Sequence, residues 1–334
     1  MGADDVREAV RAGGLLPRDR PLVAMLSGGR DSVCLLDVAV ALCGPGAVSA
    51  LHVNYGLRQQ ADDEERHCVA LCGQLGVALE VVREKGLELP QGGAPAGSGS
   101  GGGSGGGSGG GNLQAWAREV RYGAAARMAE RCDALIATGH TASDQVETIL
   151  YRLAASPGRR ALQGMAAADG RLIRPLLGVT RDETRAYCEA RGLGWCEDES
   201  NDSQRYARAR VRHGLVGALR AVHPAAEANV LRTAALLREE TELLEELVSA
   251  ELAGRRDIAI ARLEEMPAAL ARLVVVRLAE DATGAYVPQA GDRVAEILAL
   301  HRRGGSAELH VGGQAGAVIE GGVLSMKRLP PRRD

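Results

Sequence analysis

The first half of the chain alternates between short apolar runs and longer stretches in which an apolar residue recurs every three or four positions. Short runs of this kind predict buried strands, and the longer period predicts helices with one apolar face. Strands are predicted at Leu22–Leu26, Val48–Val53, Val77–Val82 and Ala134–Thr138. Helices are predicted at Val33–Leu42, Glu64–Leu75 and Asn112–Arg131. This alternation is typical of an α/β fold with a doubly wound, mainly parallel sheet.

The second half of the chain is more helical. Helical periodicity extends over Ala225–Leu252, Leu263–Glu280 and Arg293–His301. The final stretch, Ala307–Arg328, alternates and contains paired glycines, which predicts a terminal β-hairpin. We therefore expect an α/β domain over residues 1–220, followed by a smaller, mainly helical domain over residues 221–334.

A segment rich in glycine and serine interrupts the first domain. Residues 92–111 contain 13 of the 44 glycines, and such a composition cannot bury apolar area. The segment is predicted to be a flexible linker between the third strand and the following helix. Its near-regular GGGS repeat resembles an engineered linker, but a natural low-complexity insertion gives the same pattern.

Composition narrows the class of protein. Hydrophobic residues make up 46% of the chain, and no apolar run approaches the roughly 20 residues that span a bilayer. The N-terminus is acidic rather than basic and then apolar, so we expect a cytoplasmic protein without membrane contact. The odd number of cysteines, seven, predicts free thiols. With a net charge of −3, any nucleic-acid binding requires a local basic patch.

The strongest chemical signal is the segment SGGRDS, which directly follows the first predicted strand. Its two glycines allow a tight turn whose N–H groups face an anion, and the next helix adds its positive end. The serine hydroxyls are suited to phosphate oxygens, and Asp31 is suited to a Mg²⁺ ion between phosphates. The segment comprises Ser27, Gly28, Gly29, Arg30, Asp31 and Ser32. An ordinary turn between a strand and a helix is the alternative.

This segment resembles the S-G-G-x-D-S signature of the PP-loop (N-type) ATP pyrophosphatases. The resemblance implies that the six residues bind the pyrophosphate part of ATP and that Asp31 is also catalytic. It also implies that the enzyme transfers AMP to an oxygen of its substrate. Because members of this superfamily act on tRNA bases, nucleotides or amino acids, the loop alone does not identify the substrate.

Two further segments resemble tRNA(Ile)-lysidine synthases. Residues 51–58, with the sequence LHVNYGLR, are similar to a segment that borders the adenosine pocket in that family, which implies that His52 and Asn54 contact ATP. Residues 117–122, AREVRY, are similar to a family helix, which implies that Arg118 binds ATP and Arg121 binds tRNA. A polar strand end and a solvated charged helix face are the alternatives.

Residues 138–148, TGHTASDQVET, follow the fourth predicted strand and are similar to the family motif G-H-x-x-D-D-Q-x-E-T. The resemblance implies that Gly139 contacts ATP and that His140, Asp144 and Glu147 are catalytic. Ser143 replaces the first aspartate of the motif. Asp144 and Glu147 also fit a helix-capping pattern, which is the alternative interpretation.

The last matching blocks lie between residues 195 and 212 and carry arginines with few acids. The resemblance to the family blocks E-D-x-S-N and R-N-x-[IV]-R implies a catalytic role for Arg205. It also implies tRNA contacts for Arg208, Arg210 and Arg212. A salt-bridged helix surface is the alternative, and Ala209 replaces the usual asparagine of the block.

The resemblance implies a ligase that forms a C–N bond. Such an enzyme joins free L-lysine to C2 of the wobble cytidine of tRNA(Ile) with a CAU anticodon, through an adenylated intermediate. Its co-substrate and cofactor are ATP and Mg²⁺, and its products are lysidine, AMP and pyrophosphate. A homodimer is compatible with the family. The alternatives are a tRNA 2-thiolation enzyme of the same superfamily and a non-catalytic paralogue that binds ATP or RNA.

Overall fold

The structure is a computed structural model and describes residues 2–17, 19–56, 60–84, 110–155, 158–197 and 207–330. The chain forms two compact units. The first comprises residues 1–156 and 164–231, and the second comprises residues 157–163 and 232–334. The boundary near residue 220 between two independently folding domains stays a prediction.

The first unit is built on a six-stranded sheet. Its strands are β1 Leu22–Met25, β2 Val48–Asn54, β3 Ala78–Arg83, β4 Leu135–Ala137, β5 Ala168–Asp169 and β6 Leu172–Ile173. They lie in the order β3-β2-β1-β4-β6-β5, and only the β5–β6 pair is antiparallel. The predicted doubly wound, mainly parallel sheet is therefore confirmed. The strand order reverses next to β1, where open α/β sheets bind ligands.

Helices cover the sheet of the first unit and lead out of it. They are α1 Ala3–Ala12, α2 Arg30–Cys43, α3 Ala61–Leu75, α4 Gly110–Arg131, α5 Ala142–Ala155, α7 Arg181–Ala190, α8 Ala207–Arg210 and α9 Gly217–Val222. A π-helix over Val211–Val216 joins α8 to α9, and a short 3₁₀ helix over Pro45–Ala47 precedes β2. The long helix α10, Ala226–Leu252, carries the chain from the first unit into the second.

Successive residues of β1 point to opposite faces of the sheet, and each face has its own core. Leu22 and Ala24 belong to a cluster with residues of α1, α2, α3 and α7, including the fully buried Tyr187. Val23 and Met25 belong to a second cluster, with residues of β2 and α4. Because both faces are covered, the loop that leaves the end of β1 is held in a fixed position.

The second unit combines helices with an antiparallel sheet. Its helices are α6 Arg159–Leu162, α11 Ile260–Glu265, α12 Ala268–Thr283 and α13 Val294–Arg302, with a 3₁₀ helix over Pro288–Arg293. Its strands are β7 Asp257–Ala259, β8 Ala307–Gly312, β9 Ala315–Glu320 and β10 Val323–Arg328, in the order β7-β10-β9-β8. The predicted terminal hairpin is thus part of a four-stranded sheet. Within the described ranges, no helix is both long and apolar enough to cross a membrane.

Two predicted segments differ from the structure. The single helix predicted over Leu263–Glu280 is two helices, α11 and α12, because Pro267 lacks an amide hydrogen and disfavours helical geometry at the residue before it. Helix α4 begins at Gly110, so the predicted linker is two residues too long at its C-terminal end. The rest of the predicted linker, residues 92–109, lies outside the described residues.

Candidate active site

The loop after β1 has the geometry of an anion-binding turn. Gly28 has φ +83°, a conformation that favours glycine, and Gly29 is the extended residue that precedes α2. The hydroxyl of Ser32 donates to the Gly29 carbonyl at 2.7 Å and accepts from the Ser27 N–H at 3.1 Å. The loop is therefore closed by its own serine, and the N-terminus of α2 adds a positive dipole end.

The loop after β4 lies directly against this turn. A Cβ atom on Gly139 would lie 3.0 Å from the carbonyl carbon and oxygen of Asp31 and 3.1 Å from the Ser32 nitrogen. Only glycine allows so close an approach of the two backbones. His140 follows, and its Nδ1 lies 2.8 Å from the hydroxyl of Thr138. The structure thus brings the two strongest motifs of the sequence into one place.

Three carboxylates converge on the guanidinium of Arg181, the first residue of α7. Its Nη1 lies 2.5 Å from Glu147 Oε1, its Nη2 contacts Asp144 Oδ1, and its Nε lies 3.8 Å from Asp31 Oδ2. One turn further along α7, the Thr184 hydroxyl donates to Asp31 Oδ1. We call Asp31, Asp144, Glu147 and Arg181 the acidic cluster.

The two carboxylate oxygens of Asp144 make different contacts. Its Oδ2 accepts hydrogen bonds from the N–H and hydroxyl of Thr141, at 2.9 and 2.8 Å, and so caps the start of α5. Its Oδ1 faces Arg181. Burial opposes ionisation of Asp144, but the charge of Arg181 and the Thr141 hydrogen bonds outweigh it and lower the pKa of the carboxyl. The capping alternative is thus present together with membership of the cluster.

Asp31 is in the opposite electrostatic situation. Its burial raises the pKa of the carboxyl, against the Thr184 hydrogen bond and the nearby charges of Arg30 and Arg181. Ser143, which replaces the usual aspartate, is buried, and its hydroxyl accepts the main-chain N–H of Arg181 at 3.2 Å. Ser143 therefore anchors the start of α7 without adding a fourth carboxylate.

The arginines expected to bind ATP or tRNA lie in different surroundings. Arg212, on the π-helix, donates from Nε to Glu147 Oε1 at 2.8 Å and so contacts the acidic cluster directly. Arg118 is exposed and lies 4.6 Å above the ring of Tyr122. Arg121 is half-buried on the same helix, and Arg210 is exposed. Arg205 and the side chain of Arg208 lie outside the described residues.

His52 and Asn54 make internal contacts at the end of β2. His52 is 2% exposed, and its Nδ1 lies 2.9 Å from the Leu26 carbonyl. Asn54 donates to Glu65 at 2.9 Å and accepts from the Gly56 N–H at 2.9 Å. Both side chains support the end of β2 beside the loop after β1, and their contact with ATP stays a prediction.

The sequence does not indicate Arg181, which belongs to the acidic cluster. It also does not indicate Thr184 and Thr141, which donate hydrogen bonds to Asp31 and Asp144. A signal existed for the start of α7, because Thr180 and Glu183 form a capping box in the structure. The position of Arg181 between carboxylates more than thirty residues away carried no sequence signal. The described part of the chain contains no group of three metal-ligating side chains. Mg²⁺ commonly uses one or two carboxylates together with substrate phosphates, so Asp31 beside the loop fits this ion.

Known proteins resemble this chain in sequence and in fold. Residues 7–219 match the family model of the PP-loop domain. The tRNA(Ile)-lysidine synthase of Pseudomonas fluorescens (strain Pf0-1) is 38% identical over 233 residues, which cover 68% of this chain and 48% of that protein. The Pseudomonas aeruginosa enzyme of the same name is 37% identical over 237 residues, which cover 69% and 49%. The chain thus spans about half the length of the curated relatives it matches.

A solved structure shows the same fold at low identity. The U34-tRNA thiolase NcsA from Methanococcus maripaludis, solved with its 4Fe-4S cluster, has a TM-score of 0.54 and 18% identity. The match covers 70% of this chain and 78% of that one. Since the family model covers well over half of the residues, and its signature loop and neighbouring motif meet in the structure, the chain belongs to the PP-loop domain family.

Proposed function

We propose that this chain is a tRNA(Ile)-lysidine synthase, which joins L-lysine to the wobble cytidine of tRNA(Ile) with a CAU anticodon. The observation that carries the proposal is the backbone contact between Gly139 and Asp31. It places a loop suited to pyrophosphate beside a cluster suited to an ammonium group. The 35–38% identity to relatives of that name supports the same substrates.

In the first half-reaction, O2 of the cytidine attacks the α-phosphorus of ATP, and the bond to pyrophosphate breaks. The loop from Ser27 to Ser32 binds the departing pyrophosphate through backbone N–H groups, hydroxyls and the α2 dipole. Asp31 would hold Mg²⁺, which supplies charge neutralisation between the phosphates. The product of this step is the adenylated cytidine.

In the second half-reaction, the ε-amine of lysine forms a bond to C2, and AMP leaves with O2. With a reference pKa near 10.4, only about one lysine amine in 2,500 is neutral at pH 7, a penalty of roughly 4.6 kcal/mol. The amine therefore arrives as an ammonium and must lose a proton. Asp144 and Glu147 suit the ammonium, and a base beside them must accept the proton.

Of the three candidates for this base, His140, Asp144 and Glu147, we assign the role to His140. Both oxygens of Asp144 are committed to hydrogen bonds that favour the ionised form. Glu147 is held by two guanidinium groups, those of Arg181 and Arg212. Guanidinium groups thus contact both carboxylates, whereas an imidazole, with a reference pKa near 6.5, is suited to proton transfer at neutral pH.

The alternative function, 2-thiolation of tRNA, needs a reactive thiol, and Cys68 beside the loop does not have the properties of one. A Cβ atom on Gly28 would lie 3.4 Å from Cys68 Sγ, so this thiol borders the phosphate turn. Burial, and next the neighbouring Cys72 and Cys196, raise the pKa of Cys68 to about 12. The nucleophile in sulfur transfer is a thiolate, and Cys68 is protonated at neutral pH.

We assign recognition of the tRNA to the exposed arginines of the first unit and to residues 221–334.

The test is AMP release from ATP and Mg²⁺ by the full chain, with an unmodified CAU-anticodon tRNA(Ile) transcript and with lysine added or withheld. We expect AMP release that depends on both, and a wobble base whose mass has increased by lysine minus water. AMP release that ignores lysine but responds to a sulfur donor would indicate 2-thiolation. ATP binding without AMP release would indicate a non-catalytic paralogue. A transcript with a CAC anticodon is the matched control for the substrate.

A further inference from the structure

The carboxylates that suit the ammonium of lysine are already occupied by the protein's own cations. Arg181 contacts both Asp144 and Glu147, and Arg212 contacts Glu147 as well. The side chain of Glu147 is only 3% exposed and that of Asp144 14%, so little of either carboxylate faces solvent. An incoming ammonium would compete with a guanidinium that makes two charge-assisted contacts.

The same guanidinium has a second set of partners within reach. Its Nε lies 3.8 Å from Asp31, in the loop that suits pyrophosphate. The α2 N-terminus and the glycine turn, which suit phosphate oxygens, lie on that side of the cluster. The planar guanidinium group pairs well with carboxylates and with phosphates, so both kinds of partner suit Arg181. The side chain of Arg181 is 18% exposed, slightly more than that of Asp144.

We propose that Arg181 is an exchangeable counter-ion that makes lysine binding depend on nucleotide binding. This inference rests on the proposed function. Without nucleotide, Arg181 neutralises Asp144 and Glu147 and keeps amines out of the cluster. When the phosphates bind at the loop, the guanidinium turns to them. Asp144 then loses its cation and Glu147 keeps only Arg212, so the ε-ammonium can bind between the two carboxylates. ATP therefore binds before lysine, and an enzyme without bound nucleotide does not take up free lysine.

Calorimetric titration of the full chain tests this coupling. L-lysine is titrated with and without Mg²⁺ and a non-cleavable ATP analogue. For the wild type we expect lysine to bind about tenfold more tightly when the analogue is present, within the range usual for coupled sites. Because such coupling is reciprocal, lysine must tighten binding of the analogue by the same factor.

Arg181→Gln removes the counter-ion. We expect this variant to bind lysine without nucleotide more tightly than the wild type does, and the coupling factor to fall towards one. Arg185→Gln is the matched control, since Arg185 lies one turn along the same helix, is 52% exposed and faces Glu197 instead. We expect it to retain the wild-type factor. Arg181→Lys keeps the positive charge but loses the planar guanidinium that makes paired hydrogen bonds, so it should retain part of the coupling.

The outcomes separate the two proposals. If the wild type binds lysine equally with and without the analogue, lysine remains a ligand and the role of Arg181 is refuted. If Arg181→Gln keeps the wild-type factor, the role is refuted as well. If the wild type binds no lysine even with the analogue, the proposed function fails and this inference fails with it. Should Arg181→Gln melt before it can be titrated, Arg181→Lys decides: a reduced coupling factor supports the role of Arg181, and an unchanged factor refutes it.

Discussion

The hydroxyl of Tyr187 on α7 donates a hydrogen bond of 2.5 Å to Asp37 Oδ2 on α2, and both side chains are buried. Arg191 adds a contact to the same oxygen, 3.1 Å from its Nε, and Arg7 donates to the phenol oxygen at 3.1 Å. Burial and the Asp37 hydrogen bond raise the pKa of Tyr187. The same two helices carry Asp31 and Thr184, so this contact aligns them where they build the site.

Removing this hydroxyl is expected to destabilise the first unit. Tyr187→Phe leaves Asp37 as a buried carboxylate that has lost a donor, which costs about 1–3 kcal/mol of unfolding free energy. Urea unfolding at pH 7 measures the loss. Tyr122→Phe is the control, because it keeps a ring beneath Arg118 and should change the free energy of unfolding by less than about 0.5 kcal/mol. Equal losses for both variants would contradict the importance of the Asp37 contact.

Gly139→Ala tests the approach of the two loops. The added methyl group would meet the Asp31 backbone at 3.0 Å, so one loop must move. Because small displacements of reacting groups are costly, we expect AMP release to fall by roughly tenfold to a hundredfold. Gly178→Ala is the control, as its added methyl group would meet no atom within 4 Å. Unchanged activity of Gly139→Ala would show that the loops yield without consequence.

Asp31→Asn tests the proposed Mg²⁺ ligand. The amide keeps the size of the side chain and still accepts from Thr184, but it binds a divalent cation poorly. We expect pyrophosphate release to fall by about 100-fold at a fixed Mg²⁺ concentration and to recover in part when that concentration is raised. A loss that does not respond to Mg²⁺ would assign Asp31 to positioning of Arg181 and Thr184.

The low pKa of Asp144 makes stability depend on pH in a defined direction. Because the folded pKa lies below the unfolded value of about 3.9, Asp144 stabilises the fold above pH 4. That contribution disappears as the pH falls through the folded pKa. We therefore expect Asp144→Asn to be less stable than the wild type by about 1–3 kcal/mol at pH 6, with the difference shrinking towards pH 3.

Urea unfolding between pH 3 and pH 7 checks this dependence. Asp182→Asn is the control, since Asp182 is an exposed carboxylate on α7, next to Arg181 in sequence. Its effect should be smaller at every pH. A gap between Asp144→Asn and the wild type that stays constant from pH 6 to pH 3 would contradict the ionic role of Asp144.

The sequence predicts the sheet well and the cluster only in part. Apolar runs place β1, β2 and β4 within a residue at each end, because buried parallel strands are continuously apolar. Helix α7 escapes the pattern, because its ten residues are mostly polar and charged. Asp144 and Glu147 are visible as a motif, but their pairing with Arg181 arises only when the chain folds. Tertiary contacts of this kind leave no periodicity to detect.

The π-helix at Val211–Val216 sets which side of α9 faces α5. Such a wide turn equals one residue inserted into an α-helix, an offset of about 100° around the axis. In its first turn Arg212 donates to Glu147 of α5, and after it Leu219 packs with Val146 and Leu150 of the same helix. Deleting one residue here would restore a regular helix and turn one of these two faces away from α5. A single-residue deletion would thus uncouple an ion pair from a hydrophobic cluster without altering any side chain in either.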